Sequence, residues 1–543
     1  MKAISTIFFA ASALGAMAAD VVGTVTCDGK PLSGVHVTDG ISIVTTDARG
    51  KYKIKRDKSA ETVQLIVPSG YVAPSRDGFQ PSFWALLSDD AKRGERHDFE
   101  LVKADQSRFT IVFTTDQHIT ADTAKRDQYY FETLALPRIR EVAGEYADRG
   151  PVYGVNLGDI SQDYFWYKNN YDLDSVICYM RRLELPFASY SVSGNHDNNP
   201  SVAGEDVDRR SAKDYRRILG PSHYSANIGN THWVFMDDII YKNLPGGKKA
   251  PGVAGDRSYD IGFTAAQMAW LRKDLALVPD SARVFIACHA PMVYARRNGT
   301  MFTDAAQLDT IDAMLSRFDN VTVFSGHAHK NFYSRSAQHP RLEQYVICAT
   351  SGDMWLSNRR YRALGADGSD PGILSASFDG TAAPEIVYHT YDSSVSPENQ
   401  MRVYDLNGVG AYYATDPVIA ARLKQYPGSV NYSDSCYRDC LLINWWGDRE
   451  GRTLKVVENG VELPATRTTS LDDPMRIATH FAPMSAKGDE YKKGYERPGS
   501  LHVFLVRAAT SDAPVTVQVL DANGTVMQET TVERPKPFDI HMR

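Results

Sequence analysis

Six cysteines in 543 residues are too few to staple a chain of this size together. Only Cys436 and Cys440 stand close in sequence; a bridge or two buried thiols would fit equally, and their isolation from other Cys or His argues against a zinc finger. There is no Lys/Arg-rich tract either. Against 60 basic residues stand 66 acidic ones, a net charge of −6, which argues against a nucleic-acid-binding face and leaves room only for a local basic pocket. The apolar N-terminal stretch falls short of the ~20 residues needed to span a bilayer, and no later run is apolar enough, so no transmembrane segment is expected. Internal repeats and long low-complexity tracts are missing too. What remains is an ordinary soluble composition, 43% hydrophobic and 23% charged, in a chain long enough for two to four domains.

The chain opens with "MKAISTIFFAASALGAMAAD": one lysine, an apolar stretch from Ile4 to Ala13, and small residues at Ala16 and Ala18. Residues 1–19 read as a cleavable secretory signal, and the protein is expected to be exported, either periplasmic or secreted. Residues 20–103 alternate short β-branched runs with turn signals such as Asp28-Gly29 and Asp39-Gly40, the pattern of a small β-sandwich. Residues 104–395 change rhythm: strand-like runs ("RFTIVFTTDQH", "PVYGVNLGD", "ARVFIACHAP") alternate with helical patterns, which predicts an α/β layered domain with ligands at the carboxyl ends of its strands. A helix over "RDQYYFETLALPRIREVAGEYADRG" should be interrupted near Pro137 and stop at Gly150. Residues 396–543 hold few convincing helices and several Asn-Gly and Asp/Gly turns, so a second, all-β domain is expected there.

Five strand-like runs of the middle segment end in metal-ligand chemistry. They give Asp116 and His118 in "TDQH", Asp159 in "LGD", Asn195 with His196 and Asp197 in "SGNHD", His289 in "ACHAP", and His327 and His329 in "SGHAH". A lone histidine at a strand end is more often structural, but five such ends in order, expected at one edge of one sheet, form a constellation. Two divalent cations ~3.5–4 Å apart repel and need a shared anion between them. Asp159, at a Gly-Asp turn, is placed to bridge with both of its oxygens. Carboxylate and imidazole together suit Fe, Mn or Zn rather than Ca or Mg alone. The His327-x-His329 spacing sends both rings to one face of a strand, or lets a turn aim one at each ion.

The series D-x-H, G-D, G-N-H-D, H, G-H-x-H resembles the calcineurin-like metallophosphoesterase family over roughly Asp116 to His329. The N-terminal segment resembles transthyretin-like or carboxypeptidase-regulatory-like domains. "DGSDPGILSASFDG" and "NQMRVYDLNG" resemble bacterial exported members that add a specific C-terminal β domain. The resemblance implies a β-sandwich core flanked by helices, with an N-terminal β-sandwich and a C-terminal all-β domain. One metal would be held by Asp116, His118, Asp159 and His329, the other by Asp159, Asn195, His289 and His327. His196 would assist the leaving alkoxide while a hydroxide bridging the metals attacks phosphorus in line.

Departures sharpen this expectation. "GDISQDY" puts Gln162 and Asp163 where phosphoprotein phosphatases of the superfamily carry Asp and a phosphate-gripping Arg, and it lacks the tyrosine ligand of purple acid phosphatases. The D-x-H form tilts the expected substrate slightly from phosphomonoesters toward phosphodiesters. A non-catalytic scaffold of the same fold, and a glycan-directed binding protein contacting cell surfaces through its β domains, are the alternatives. Arg296 and Arg297 are candidate substrate contacts, since guanidinium forks match phosphate oxygens; a solvated loop pair is the plain alternative. The Gly/Pro/Lys stretch Asn243–Gly255 can cover the site or be an ordinary loop. Trp355 can wall the cleft, and Trp445 and Trp446 can present a sugar platform, though packing fits each of these aromatics.

Overall fold

The computed structural model describes residues 19–75, 77–247, 249–293, 305–356, 359, 363–483 and 500–542. The signal-like residues 1–18 and the pair Arg296–Arg297 lie outside them. No helix among the described residues is long and apolar enough to cross a membrane.

At the centre two sheets face each other. One has the strand order Ser189–Ser191, Val152–Asn156, Arg108–Thr114, Gly372–Asp379, Glu385–Thr390; the other runs His223–Ile228, Thr231–Met236, Arg283–Ala287, Val321–Ser325, Leu342–Val346, Phe332–Arg335. The period-two alternation of strands explains the sandwich. Phe109, Ile111 and Phe113 point into the space between the sheets, where they meet Trp233, Phe285, Phe324 and Phe378. The Phe113 and Phe324 rings stack at 4.3 Å, Trp233 and Phe285 at 4.5 Å. Residues of opposite parity turn outward under helices: Val112 packs with Ile139, Val142 and Val176, while Val234, Val284, Ile286 and Val323 pack with Trp270, Leu271 and Ile311. Both faces of both sheets are thus covered, which is why these strands read as continuous apolar runs. The helix before the second core strand is interrupted as its sequence predicts. It runs Asp127–Tyr130, widens through a π-turn at Phe131–Ala135, and resumes at Leu136–Ala147 with Pro137 in its first turn.

Two β domains flank this core. Near the N-terminus a four-stranded sheet (Ile43–Thr45, His36–Thr38, Thr62–Ile66, Trp84–Leu86) abuts the edge strand His223–Ile228, with Asn227 N–H donating to Val67 C=O at 2.8 Å. The C-terminal domain contains two four-stranded antiparallel sheets with a shared core of Leu441, Ile443, Val456, Val517 and Val519. It also carries two helices absent from the sequence expectation, Leu406–Thr415 and Pro417–Gln425. Asp405 caps the first by accepting from Asn407 N–H, and Asp416 caps the second by accepting from Val418 and Ile419 N–H. Trp445 and Trp446 are both buried, so neither offers a sugar platform, and Cys436 and Cys440 are free thiols.

The C-terminal domain is fastened to the core by buried ion pairs. Arg402 reaches Asp370 at 2.7 Å with both side chains shielded from solvent, and Arg476 reaches Asp353 at 2.8 Å. Removing one partner of such a pair leaves an uncompensated buried charge, at a cost of about 3–5 kcal/mol. Arg402→Met should therefore lower the thermal midpoint of the C-terminal domain sharply, read by calorimetry. An unchanged midpoint would show that this fastening contributes little.

Candidate metal centre

Each candidate ligand sits just past the carboxyl end of a core strand. Arg108–Thr114 leads to Asp116 and His118, Val152–Asn156 to Asp159, Ser189–Ser191 to Asn195, Arg283–Ala287 to His289, and Val321–Ser325 to His327 and His329. The expectation of one sheet edge is corrected: three of these strands belong to one sheet and two to the other, so the site lies across the mouth of the sandwich. Nor is the His327/His329 pair on a strand. Asp116, His118, Asp159, His327 and His329 all have left-handed backbones, φ between 47° and 62°. Such corners cost a non-glycine residue about 1–2 kcal/mol each, and they cluster where function holds them. A turn, rather than the alternation of a strand, aims the two rings in different directions.

The donor atoms converge. His329 Nε2 lies 3.3 Å from Asp116 Oδ1 and 3.0 Å from His118 Nε2. On the other side, His289 Nε2 lies 3.3 Å from Asp159 Oδ2, 3.2 Å from Asn195 Oδ1 and 3.1 Å from His327 Nδ1. Asp159 Oδ2 is also 3.9 Å from His118 Nε2, so one oxygen faces both halves. Its Oδ1 instead accepts the His196 backbone N–H at 2.7 Å. The sequence reading used both oxygens for a bridge; in this arrangement Oδ2 faces both halves and would be the atom shared between two ions.

These residues fit a pair of cations. Metal–nitrogen and metal–oxygen bonds of ~2.0–2.2 Å place neighbouring ligand atoms roughly 3–3.5 Å apart, close to the spacings here. Imidazole nitrogens 3.0 and 3.1 Å apart repel unless a proton or cation lies between them. Asp116 Oδ1 is buried without a hydrogen-bond partner, a costly state in a protein interior. The glycines of the motifs are explained by the same crowding. A Cβ on Gly194 would come 2.1 Å from Asp159 Oδ1, and one on Gly326 would come 2.4 Å from Asp116 Oδ2.

Protons compete with cations for this site. Burial opposes a charge on His289, but Asp159 and Asp116 outweigh it and push its pKa up to about 10. His329 is raised for the same kind of reason, against burial and chiefly by Asp116. His327 is lowered to about 3 by burial and by charge on His289. At neutral pH the metal-free site therefore holds a proton on His289, and His329 holds one more readily than a free imidazole would; an ion must displace what is bound. Metal uptake should release one to two protons, and affinity should rise with pH up to about 10, where His289 gives up its proton unaided. Titration calorimetry in buffers of different ionisation enthalpy counts the protons; a count of zero would overturn this account.

A second layer holds the ligands. Asp197, beside His196, accepts from the backbone N–H of Asp159, Gly194 and Ser161. Burial and the charge on Asp159 push its pKa up to about 6. Asp238 accepts from the backbone N–H of His289 and Ala290, and His289 Nδ1 is tied to Leu157 C=O at 2.7 Å. Such partners fix ring orientation in metal sites. His196 Nδ1 lies 2.6 Å from Asp163 Oδ1, and Arg257 Nη1 donates to the same oxygen at 2.7 Å. Tyr259 OH lies 3.4 Å from His327 Nε2.

Asp163, Asp238, Arg257 and Tyr259 were not singled out as site residues in the sequence. Asp163 was visible only as a departure from another branch's motif. Arg257 follows the Gly/Pro/Lys stretch, whose ends are tied down by Asn243 Nδ2 donating to Pro200 and Val202 C=O and by Ala254 N–H donating to Pro200 C=O. Trp355 is buried and donates its indole N–H to Gln117 C=O at 2.6 Å, a packing role beside the site.

Family models match three stretches: "N terminal of Calcineurin-like phosphoesterase" over residues 19–104, "Calcineurin-like phosphoesterase" over 109–331, and "C terminal of Calcineurin-like phosphoesterase" over 344–526. No curated protein matches the chain. Solved structures with a similar fold include a dimetal phosphatase from Danio rerio (14% identity, 52% of this chain and 99% of that one, TM-score 0.32). A purple acid phosphatase from yellow lupin matches at 11% identity over 67% of this chain and 68% of that one, TM-score 0.36. A calcineurin-like phosphoesterase from Bacillus subtilis matches at 13% identity over 53% and 92%, TM-score 0.29.

Proposed function

Because the chain belongs to the calcineurin-like phosphoesterase family, we propose that it is an exported enzyme that hydrolyses phosphate esters at a two-metal centre, with phosphodiesters slightly favoured over monoesters. The observation that carries this reading is the placement of Asp159 Oδ2 within 3.9 Å of donors from both halves of the site. Asp116, His118 and His329 would hold one ion, Asn195, His289 and His327 the other, and Asp159 both. When bound, such ions neutralise phosphoryl oxygens and acidify water at neutral pH; Mn, Fe or Zn suits these donors.

The chain's own residues do the rest. Asp163 engages His196 at Nδ1, so the proton for the departing oxygen sits on Nε2. Asp163, buried and also paired to Arg257, orients the ring. Asp163→Asn should lower kcat by roughly 10–100-fold, the usual cost of losing an orienting partner. Metal content should stay at two, and the loss should be larger for esters with poor leaving groups, whose departure depends most on a well-aimed proton donor. A loss equal for good and poor leaving groups would mean that Asp163 is only structural.

The test of function is purified, metal-loaded protein assayed with 4-nitrophenyl phosphate and bis(4-nitrophenyl) phosphate alongside metal analysis. Two ions bound with turnover of neither ester would favour a non-catalytic scaffold. The Asp116-x-His118 form supports the diester preference. Export rests on the N-terminal stretch, and envelope-fraction protein should lack it by mass.

A further inference from the structure

Where the C-terminal domain meets the two core sheets, a turn brings two arginines together. Arg449 and Arg452 follow the strand Cys440–Trp445, and Arg452 N–H donates to Arg449 C=O at 3.2 Å. Both line a cleft of about 30 Å³. Tyr345 enters it from one core sheet and Ile386 and Tyr388 from the other, while Trp446 comes from the C-terminal domain. A single water needs roughly 10–15 Å³, so the cleft admits a small ion or the end of a larger molecule.

The two guanidiniums lack counter-charges. Arg449 Nη1 donates to Ile386 C=O at 3.2 Å and Arg452 Nη1 to Gly447 C=O at 3.5 Å, both neutral acceptors. The carboxylates nearby are engaged elsewhere: Asp448 with Arg467, Glu343 with Arg335 and Thr322, Glu450 with Arg335 and Tyr333, Glu398 with Ser396. Among the described residues neither arginine pairs with a carboxylate. Burial, the largest influence, and then the charge on Arg449 lower the Arg452 pKa to about 10. Two further donors on residues lining the cleft, Trp446 Nε1 and Asn331 Nδ2, are buried without an acceptor. The cleft is thus rich in donors and short of acceptors. Arginines that only fasten this domain are built differently: Arg402 and Arg476 each sit against a buried aspartate.

We propose that Arg449 and Arg452 bind a small tetrahedral oxyanion, phosphate or sulfate, as a free ion or as the terminal group of a larger molecule. Two guanidinium forks match such a dianion in charge and in number of oxygens, whereas a carboxylate offers one charge and two oxygens. This is the local basic pocket for which an acidic chain leaves room. No donor of the metal centre lines the cleft, and the proposal does not rest on the hydrolase reading.

The test is calorimetric titration of the full-length, metal-loaded protein with inorganic phosphate. Wild type should bind one phosphate more per chain than Arg449→Met/Arg452→Met. Any phosphate held at the metal centre adds equally to both proteins and cancels in the difference. Sulfate should compete for the extra site, acetate should bind it about tenfold more weakly, and added sodium chloride should weaken it. Phenylphosphonate separates the two sources: affinity equal to that of phosphate supports a terminal group, and a tenfold loss supports the free ion. Arg452→Lys keeps the charge but not the fork and should lose about tenfold in phosphate affinity, a result that serves if the double variant does not fold. Equal phosphate counts in wild type and double variant, unchanged affinity in Arg452→Lys, or acetate bound as tightly as phosphate would each overturn the proposal.

Discussion

Asp159→Asn should lower bound metal below two per chain and reduce phosphate-ester turnover by more than the ~100-fold expected for an orienting residue. Asparagine matches aspartate in shape, so the fold is preserved and Oδ1 can still accept from His196 N–H, the 2.7 Å bond seen here. What changes is Oδ2. It becomes an amide NH2, or, if the amide flips, a neutral oxygen with the NH2 turned against a backbone donor. In either arrangement no anion stands between the two halves of the site, where Oδ2 now lies 3.3 Å from His289 Nε2 and 3.9 Å from His118 Nε2. The same substitution removes the strongest attraction holding the His289 pKa near 10. Proton release on metal uptake should shrink with it. Metal analysis and turnover of bis(4-nitrophenyl) phosphate are the measurements; two tightly bound ions and ordinary turnover would end the two-metal account.

His196→Ala should instead leave both ions in place and slow the chemistry by about 10²–10⁴-fold, the range of a positioned general acid. The size of the loss should depend on the leaving group. Nitrophenolate leaves readily and needs little protonation, so the loss there should fall near the lower figure. An alkoxide needs a proton as its bond breaks, and alkyl diesters should show the upper figure. Plotting log kcat against leaving-group pKa for wild type and variant should give a steeper line for the variant. Parallel lines would show that His196 does not deliver the proton. The ring is placed for this role by its edge-to-face contact with His118, centroids 5.3 Å apart, and by Asp163 at Nδ1.

Much of this site was legible in the sequence because each donor follows an apolar run at a fixed short distance, and strand ends are where open sheets gather ligands. The division of those strands between two sheets was not. Period-two alternation tells which residues face inward, but Val112 and Val284 read alike although they lie in different sheets. The left-handed corners at His327 and His329 were hidden for a related reason: histidine tolerates that backbone better than most residues but does not require it, and only tertiary packing imposes it. Arg257 and Tyr259 come from the far end of a loop and meet His196 and His327 only after the chain has folded back. The helix Leu406–Thr415 was missed because its two glycines and paired tyrosines are weak helix formers; its Asp405 cap was the signal to have used.

The five strained backbone corners also set a bargain between durability and work. Glycine at any of them would relieve torsion and lengthen the protein's life on heating, yet each such exchange deletes a metal-binding side chain. Attempts to toughen this enzyme against heat by consensus or by directed evolution should thus find their gains in the outer β domains, and any gain found at Asp116, His118, Asp159, His327 or His329 should arrive with a dead catalyst.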